Sequence, residues 1–211
     1  SSFAVNAKKI HIDIDPSEIG KNVAVEIPIV GDLKAVLQKL NERVSSATHL
    51  DWINRVEELK RDHPSMKIRE TEKLLPQYII RELSQATEGK AIIVTGVGQH
   101  QMWAAQHYKF TEPRSLVTSG GAGSMGYEVP GAMGAQVGRP DRVVWSVAGD
   151  GGFQMTMAEL ATMVENSIPV KFAIINNNFL GMVRQWQEFF YDKSYVATYY
   201  TGNPDFVKLA E

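Results

Sequence analysis

An aspartate and two asparagines follow successive apolar segments at a spacing that suits a metal site. Asp150 lies in a Gly-Asp-Gly turn after one predicted strand, and Asn176 and Asn177 follow the next one, with residues 152–175 between the two groups. Mg²⁺ prefers hard oxygen ligands and commonly takes only a few from protein, which leaves positions for phosphates and water. Either segment alone is typical of a turn. Together, on neighbouring strand ends, they predict a Mg²⁺ site for a phosphate-bearing ligand.

A glycine-rich segment between two predicted elements has the spacing of a dinucleotide-binding loop. Gly121, Gly123 and Gly126 form G-x-G-x-x-G, and Asp141 follows at about the distance expected of a ribose-binding acid. That acid should end the second strand of the motif, whereas Asp141 precedes a predicted strand. The glycines therefore indicate tight turns rather than a nicotinamide site.

These segments belong to a regular alternation of apolar strands and helices. The strands are continuously apolar, which is typical of a sheet covered on both faces. We predict an α/β fold with a doubly wound, mostly parallel sheet and ligands at the carboxyl ends of its strands. The helix after the Gly-Asp-Gly turn is expected to begin at a capping box formed by Thr156 and Glu159. The predicted strands are 91–94, 115–118, 142–147 and 170–175, and the predicted helices are 76–83, 101–108, 130–137, 156–165 and 182–190.

The first part of the chain predicts a fragment of a second α/β domain. Ile10, Ile12 and Ile14 alternate with polar residues, which indicates a strand over 8–14. Asp32 can cap a helix that follows a second strand. The second strand is predicted over 23–30, and a further helix over 52–61. We divide the chain into a domain tail (1–40), a connector (41–72) and a ligand-binding domain that is incomplete at its C-terminus (73–211).

The composition excludes several classes of protein. With 44% hydrophobic and 22% charged residues the chain is globular rather than disordered or fibrous. The net charge of −2 gives no reason to expect nucleic acid, and the absence of cysteine excludes disulfides, thiolate metal sites and a cysteine nucleophile. No apolar run reaches the roughly 20 residues of a membrane helix, and no signal peptide is evident. We expect no membrane partner and a cytoplasmic location, or an organellar one in a eukaryote.

Longer runs of sequence carry a specific resemblance. The Gly-Asp-Gly turn and the later asparagine pair are similar to the thiamine diphosphate signature. Residues 96–108, 118–121 and 180–187 resemble the acetohydroxyacid (acetolactate) synthases, and the resemblance extends over essentially the whole chain. It implies the thiamine-diphosphate-binding fold, with thiamine diphosphate and Mg²⁺ as cofactors.

The resemblance also implies roles for individual residues. Asp150, Asn177 and the carbonyl of Phe179 correspond to the metal ligands. The carbonyl of Gly123 would accept a hydrogen bond from the aminopyrimidine, and Met125 would hold the cofactor bent, so these two are the catalytic residues implied for this chain. The implied cofactor contacts are Val97, Gly98, Gln99, His100, Gly123, Met125, Gly149, Asp150, Gly151, Gly152, Asn177, Phe179, Leu180, Gly181 and Met182.

Two further sites follow from the resemblance, and each has a structural alternative. Met182, Val183 and Trp186 would form the wall of a substrate channel, although their helical spacing is equally typical of a core face. The first 40 residues resemble the end of a FAD-binding middle domain in which FAD is structural. A strand and a capped helix would explain the same residues without FAD. The implied FAD contacts are Asp13, Ile14, Gly31 and Asp32.

The implied activity is decarboxylation of pyruvate and transfer of its two-carbon unit to a second pyruvate or to 2-oxobutyrate, at the start of branched-chain amino-acid synthesis. The implied partners are a second and further copies, as a homodimer or tetramer built through the cofactor interface, and a small regulatory subunit. The family's activating glutamate belongs to an N-terminal domain outside this chain, and Glu128 is not a substitute for it. We therefore expect this chain alone to lack turnover. The alternatives are another thiamine diphosphate carboligase or 2-oxo-acid decarboxylase, or a non-catalytic binding or dimerisation fragment.

Overall fold

A computed structural model describes residues 2–64 and 66–211, which form two compact units that divide within the predicted 41–72 connector. In the first unit, strand β1 (Ile10–Asp13) pairs in parallel with β2 (Ile27–Val30). Helix α1 (Leu33–Asn41) begins at the predicted cap, Asp32, whose carboxylate accepts from the Ala35 N–H at 2.9 Å. Helix α2 (Leu50–Asp62) confirms the predicted helix over 52–61. Strand β1 ends earlier than predicted because Asp13 Oδ1 accepts from the Asp15 N–H, which starts a turn.

The second unit contains one four-stranded parallel sheet. Its strands are β3 (Ile92–Thr95), β4 (Leu116–Thr118), β5 (Val144–Gly149) and β6 (Lys171–Ile175), in the order β4-β3-β5-β6. The chain runs outward from β3 to β4 and then returns to the other side of β3 for β5. The order therefore reverses between β3 and β5, and a ligand crevice is expected at the carboxyl ends of these two strands.

Helices cover both faces of this sheet, which confirms the doubly wound fold. Alternate residues of β3 pack in opposite directions: Ile93 joins the cluster with Ile80 and Ala104, whereas Val94 joins the one with Ala132. This two-sided burial explains the continuously apolar strands. The helices are α3 (Pro76–Ala86), α4 (Gln99–His107), α5 (Glu128–Gly138), α6 (Asp150–Thr156), α7 (Glu159–Glu165), α8 (Gly181–Phe190) and α9 (Phe206–Ala210).

One helix prediction was wrong. The segment predicted as a single helix over 156–165 is divided between α6, which begins at Asp150, and α7. Thr156 is the last residue of α6, and its hydroxyl donates to the Gly126 carbonyl at 2.7 Å instead of capping a helix. The residue before α7, Ala158, has no side chain that could cap it. Within the described residues, no helix is long and apolar enough to cross a membrane.

Candidate active site

A crevice opens at the carboxyl ends of β3, β5 and β6, as the strand order predicts. Every residue predicted to contact the thiamine cofactor lines this crevice, together with Val183, Trp103 and Ile175. The cavity has a volume of about 210 Å³. Residues that are distant in sequence therefore meet in one place because each follows a strand of the same parallel sheet. The predicted FAD contacts, Asp13, Ile14, Gly31 and Asp32, lie in the first unit, where Asp32 has the capping role described above.

The carboxylate of Asp150 is the most buried charged group of the crevice. Asp150 is the first residue of α6 and only 1% exposed. Its Oδ2 accepts hydrogen bonds from the Asn178 backbone N–H at 2.8 Å and from Asn203 Nδ2 at 2.7 Å. Both of these bonds fall on the same oxygen, so Oδ1 remains available to a cation. A buried carboxylate is stable only when it is paired, hydrogen-bonded or bound to a metal.

The loop after β6 brings oxygen atoms to the same cavity. The side-chain oxygen of Asn177 accepts from the Phe179 N–H at 2.9 Å, which folds the loop back on itself. Asn178 between them has a φ of 60°, a left-handed conformation that asparagine tolerates better than most residues. Within the described residues no group of three histidine or acidic side chains could hold a metal. One carboxylate, one amide oxygen and one carbonyl instead fit Mg²⁺ that shares its coordination sphere with phosphate oxygens.

Two glycine loops leave room for backbone to approach a phosphate group. Gly98 precedes α4 with a φ of 153°, and a Cβ at this position would lie 3.1 Å from the His100 ring. A Cβ on Gly151 would lie 2.2 Å from the Tyr200 hydroxyl. The φ of Gly98 and the close approach of Tyr200 to Gly151 therefore both favour glycine. The N-terminus of α4, beginning at Gln99, lines the cavity and favours negative charge there.

His100 offers a neutral polar group to the crevice. His100 is 6% exposed, and burial lowers its pKa from 6.5 to about 4, so the ring is neutral at pH 7. Its Nε2 has no hydrogen-bond partner among the described residues. Leaving a buried polar atom without a hydrogen bond destabilises the folded protein, and a ligand or a bound water can supply the missing bond. The residues present thus fit a diphosphate group held by a divalent cation.

The glycine-rich segment after β4 forms the opposite wall. Gly123 and Met125 line the same cavity as Asp150. Gly123 has a φ of 70°, and its N–H donates to the Ser119 carbonyl at 3.1 Å, while the Ser124 N–H donates to Ser119 Oγ at 3.0 Å. These bonds fix a tight loop, as predicted.

Helix α8 presents apolar side chains outside the core. None of its residues is buried, so the alternative that its apolar spacing marks a core face was wrong. Met182 and Val183 line the cavity, whereas Trp186 lies beyond the cavity lining and is 56% exposed. Arg184 packs over the Phe179 ring, with its guanidinium carbon 4.0 Å from the ring centroid, which fixes the loop that precedes the helix.

Glu128 lies beneath the site rather than in it. It is 0% exposed, and neither carboxyl oxygen has a hydrogen-bond partner among the described residues. The carboxyl fills the space beside two backbone glycines: a Cβ on Gly96 would lie 1.8 Å from Oε2, and one on Gly152 would lie 2.2 Å from Oε1. Burial raises the pKa of Glu128, and the nearby backbone N–H groups of Glu128 and Gly126 lower it by less. The residue does not line the crevice.

Two residues that the sequence did not single out reach the site from the segment before α9. Asn203 donates to Asp150, and the Tyr200 hydroxyl lies against Gly151. Burial, and then the negative charge of Asp150, raise the pKa of Tyr200, so its hydroxyl remains a donor. An Asn-Pro pair is an ordinary turn signal, and nothing in it indicates a contact with Asp150.

Comparison with known proteins agrees with this geometry. Residues 96–211 match the C-terminal TPP-binding domain of thiamine pyrophosphate enzymes, and residues 1–40 match the central domain of the same enzymes. The chain therefore belongs to the thiamine pyrophosphate enzymes, and the crevice lies within the part that matches their TPP-binding domain.

Individual relatives are acetolactate synthases. The chain is 47% identical to the acetolactate synthase of Mycobacterium leprae, over 100% of the chain and 35% of the relative. It is 48% identical to the acetolactate synthase large subunit of Corynebacterium glutamicum, again over 100% of the chain and 35% of the relative. For acetolactate synthase 1, chloroplastic, of Nicotiana tabacum the identity is 48% over 96% of the chain and 31% of the relative. The chain thus spans about a third of the length of these relatives.

Proposed function

We propose that this chain forms the cofactor-binding part of an acetolactate synthase. In this proposal the enzyme decarboxylates pyruvate and transfers the two-carbon unit to a second pyruvate or to 2-oxobutyrate. The observation that carries the proposal is the single crevice into which Asp150, Asn177 and both glycine loops converge. The similarity to acetolactate synthases over the whole chain supports the choice of reaction.

Different groups of the crevice would bind the metal ion and the diphosphate of the cofactor. Asp150 Oδ1, the Asn177 amide oxygen and the Phe179 carbonyl would bind Mg²⁺, because this ion prefers hard oxygen donors and all three residues line the cavity. Gly98 and the N-terminus of α4, beginning at Gln99, would receive the diphosphate with backbone N–H groups. When bound, thiamine diphosphate supplies the electron sink for decarboxylation of a 2-oxo acid and transfer of the remaining two-carbon unit.

The remaining residues orient the reactants and exclude water. The Gly123 carbonyl would accept from the aminopyrimidine, and Met125 would support the bent cofactor without competing for its hydrogen bonds. Met182, Val183 and Trp186 would form the apolar wall along which the 2-oxo acids enter. Apolar walls keep water from the reacting carbon and strengthen the polar interactions inside the site.

Three further features belong to the proposal. The central-domain match over residues 1–40 supports FAD as a structural cofactor near Asp13, Ile14, Gly31 and Asp32. The exposed apolar surface of α8 supports assembly as a homodimer or tetramer, with a small regulatory subunit as a further partner. The proposed location is the cytoplasm, or an organelle in a eukaryote.

Product analysis of the full polypeptide that carries this chain tests the reaction. We expect 2-acetolactate from pyruvate alone and 2-aceto-2-hydroxybutyrate when 2-oxobutyrate is added. Both products should require thiamine diphosphate and Mg²⁺ and should be lost in Asp150→Ala, with exposed Asp51→Ala as a control that retains them. Acetaldehyde as the product would identify a decarboxylase, and no turnover in the full polypeptide would favour a non-catalytic role.

A further inference from the structure

The side-chain amide of Asn203 lies at the centre of a hydrogen-bond network beside the crevice. Its Nδ2 is 2.7 Å from Asp150 Oδ2, 2.9 Å from Asn176 Oδ1 and 3.0 Å from Asn178 Oδ1. Its Oδ1 accepts from Gln154 Nε2 at 2.9 Å. An amide has only two N–H groups, so these acceptors share them. One side chain thus ties the start of α6 to the loop after β6.

This network determines which oxygen of Asp150 is available. Asn203 and the Asn178 backbone N–H both donate to Oδ2, and they approach from different elements. A carboxylate with two donors on one oxygen cannot rotate without breaking both bonds. Both donors thus fall on Oδ2, which leaves Oδ1 as the oxygen of this carboxylate that can accept a cation. Partners of this kind, which orient a ligand without touching the metal, typically change metal affinity by about 10- to 100-fold.

The position of Asn203 is itself fixed from both sides. Before it, the Tyr200 N–H donates to the Asn178 carbonyl at 2.9 Å, and Phe179 and Tyr199 form an antiparallel bridge. After it, the Asp205 carboxylate caps α9 by accepting from two backbone N–H groups. The backbone around Asn203 therefore does not depend on its side chain.

We infer that Asn203 is a positioning residue for the divalent cation, which holds the Asp150 carboxylate so that Oδ1 binds the metal. This inference rests on the proposed function, because it assumes that thiamine diphosphate and a divalent cation occupy the crevice. Asn203 does not touch the cofactor in this account. It acts through Asp150 and through the asparagines on either side of Asn177, so its removal weakens metal binding without removing a metal ligand.

Binding of Mn²⁺, followed by its EPR signal at saturating thiamine diphosphate in the full polypeptide, tests the inference. The variants are Asn203→Leu, which keeps the volume of the side chain, and the smaller Asn203→Ala. Asn166→Leu is the control, because Asn166 is exposed and its side-chain amide donates to the Thr162 carbonyl of α7. We expect the Mn²⁺ dissociation constant to rise about 10- to 100-fold in both Asn203 variants. The number of binding sites, and the affinity of the control, should stay as in the wild type.

The outcomes separate this inference from the proposal on which it rests. Wild-type protein that binds no Mn²⁺ with thiamine diphosphate would overturn the proposed function itself. Wild-type binding with both Asn203 variants within about twofold of it would overturn the role of Asn203 alone. Fewer sites at unchanged affinity would show that Asn203 only supports folding, and an equal loss in Asn166→Leu would likewise contradict a positioning role.

Discussion

The buried carboxyl of Glu128 makes the sharpest prediction about stability. Glu128 is 0% exposed, and its two carboxyl oxygens have no hydrogen-bond partner within the described residues. A buried polar group left unsatisfied costs about 1–3 kcal/mol. Glu128→Met keeps an unbranched side chain of similar length and removes the carboxyl, so the variant should be more stable than the wild type. A gain of about 2 kcal/mol in the free energy of unfolding would raise the melting temperature of a domain of this size by about 6 °C.

The gain should depend on pH, with a definite sign. Because burial raises the folded-state pKa of Glu128, the folded protein holds this proton over a range of pH in which the unfolded chain has lost it. The wild type therefore loses stability as pH rises from the ordinary glutamate pKa towards the raised folded-state value. Glu128→Met cannot titrate, so its advantage should be smallest at low pH, where only the unsatisfied neutral carboxyl counts, and should grow across this range until it levels off.

Thermal unfolding of both proteins from pH 4 to pH 8 measures this difference. Glu165→Met is the matched control, because Glu165 is exposed at the end of α7; its effect should stay within about 0.5 kcal/mol at every pH. A Glu128→Met protein that is less stable than the wild type, or that has the same advantage at every pH, would refute the reasoning.

Three smaller predictions concern helix ends and glycines. Asp32→Ala removes the bond to the Ala35 N–H and should destabilise α1 by about 1 kcal/mol; unchanged hydrogen exchange at the Ala35 amide would contradict this. Gly151→Ala should weaken thiamine diphosphate binding, measured by calorimetry, at least about tenfold, because its Cβ collides with the Tyr200 hydroxyl; adding Tyr200→Phe should recover part of the loss, and no recovery would exclude this collision as the cause. Gly134→Ala, on α5 with no atom near the new Cβ, should instead raise stability by about 0.5–1 kcal/mol, and a lower melting temperature would disprove it.

Much of the site was predictable because the carboxyl ends of parallel strands lie at the same edge of the sheet. Residues that directly follow such strands are therefore brought together. Asp150 and Asn177 follow adjacent strands, so their meeting at one edge depends on strand order rather than on side-chain detail. The division between α6 and α7 was not predictable from Thr156 and Glu159, because a capping-box pattern does not reveal that Thr156 bonds to Gly126.

The contacts of Asn203 and the burial of Glu128 could not be predicted from the sequence, for a different reason. Each acts through a tertiary contact with a residue far away in the sequence, Asn203 with Asp150 and Glu128 with the glycine backbone. Local sequence patterns predict helices, strands and turns, but they do not predict which loops contact each other in the folded protein. The burial of Glu128 at the start of α5 likewise follows from packing, since a charged residue at a helix start is normally exposed.

Calorimetric titration of thiamine diphosphate into the full polypeptide, with Mg²⁺ and then with EDTA, tests the central claim most directly. The account predicts binding that requires the metal, is weakened at least about tenfold in Asp150→Ala, and is unchanged in Asp51→Ala. Equal affinity with and without metal, or an Asp150→Ala variant that binds like the wild type, would contradict a metal-anchored diphosphate at the ends of β5 and β6.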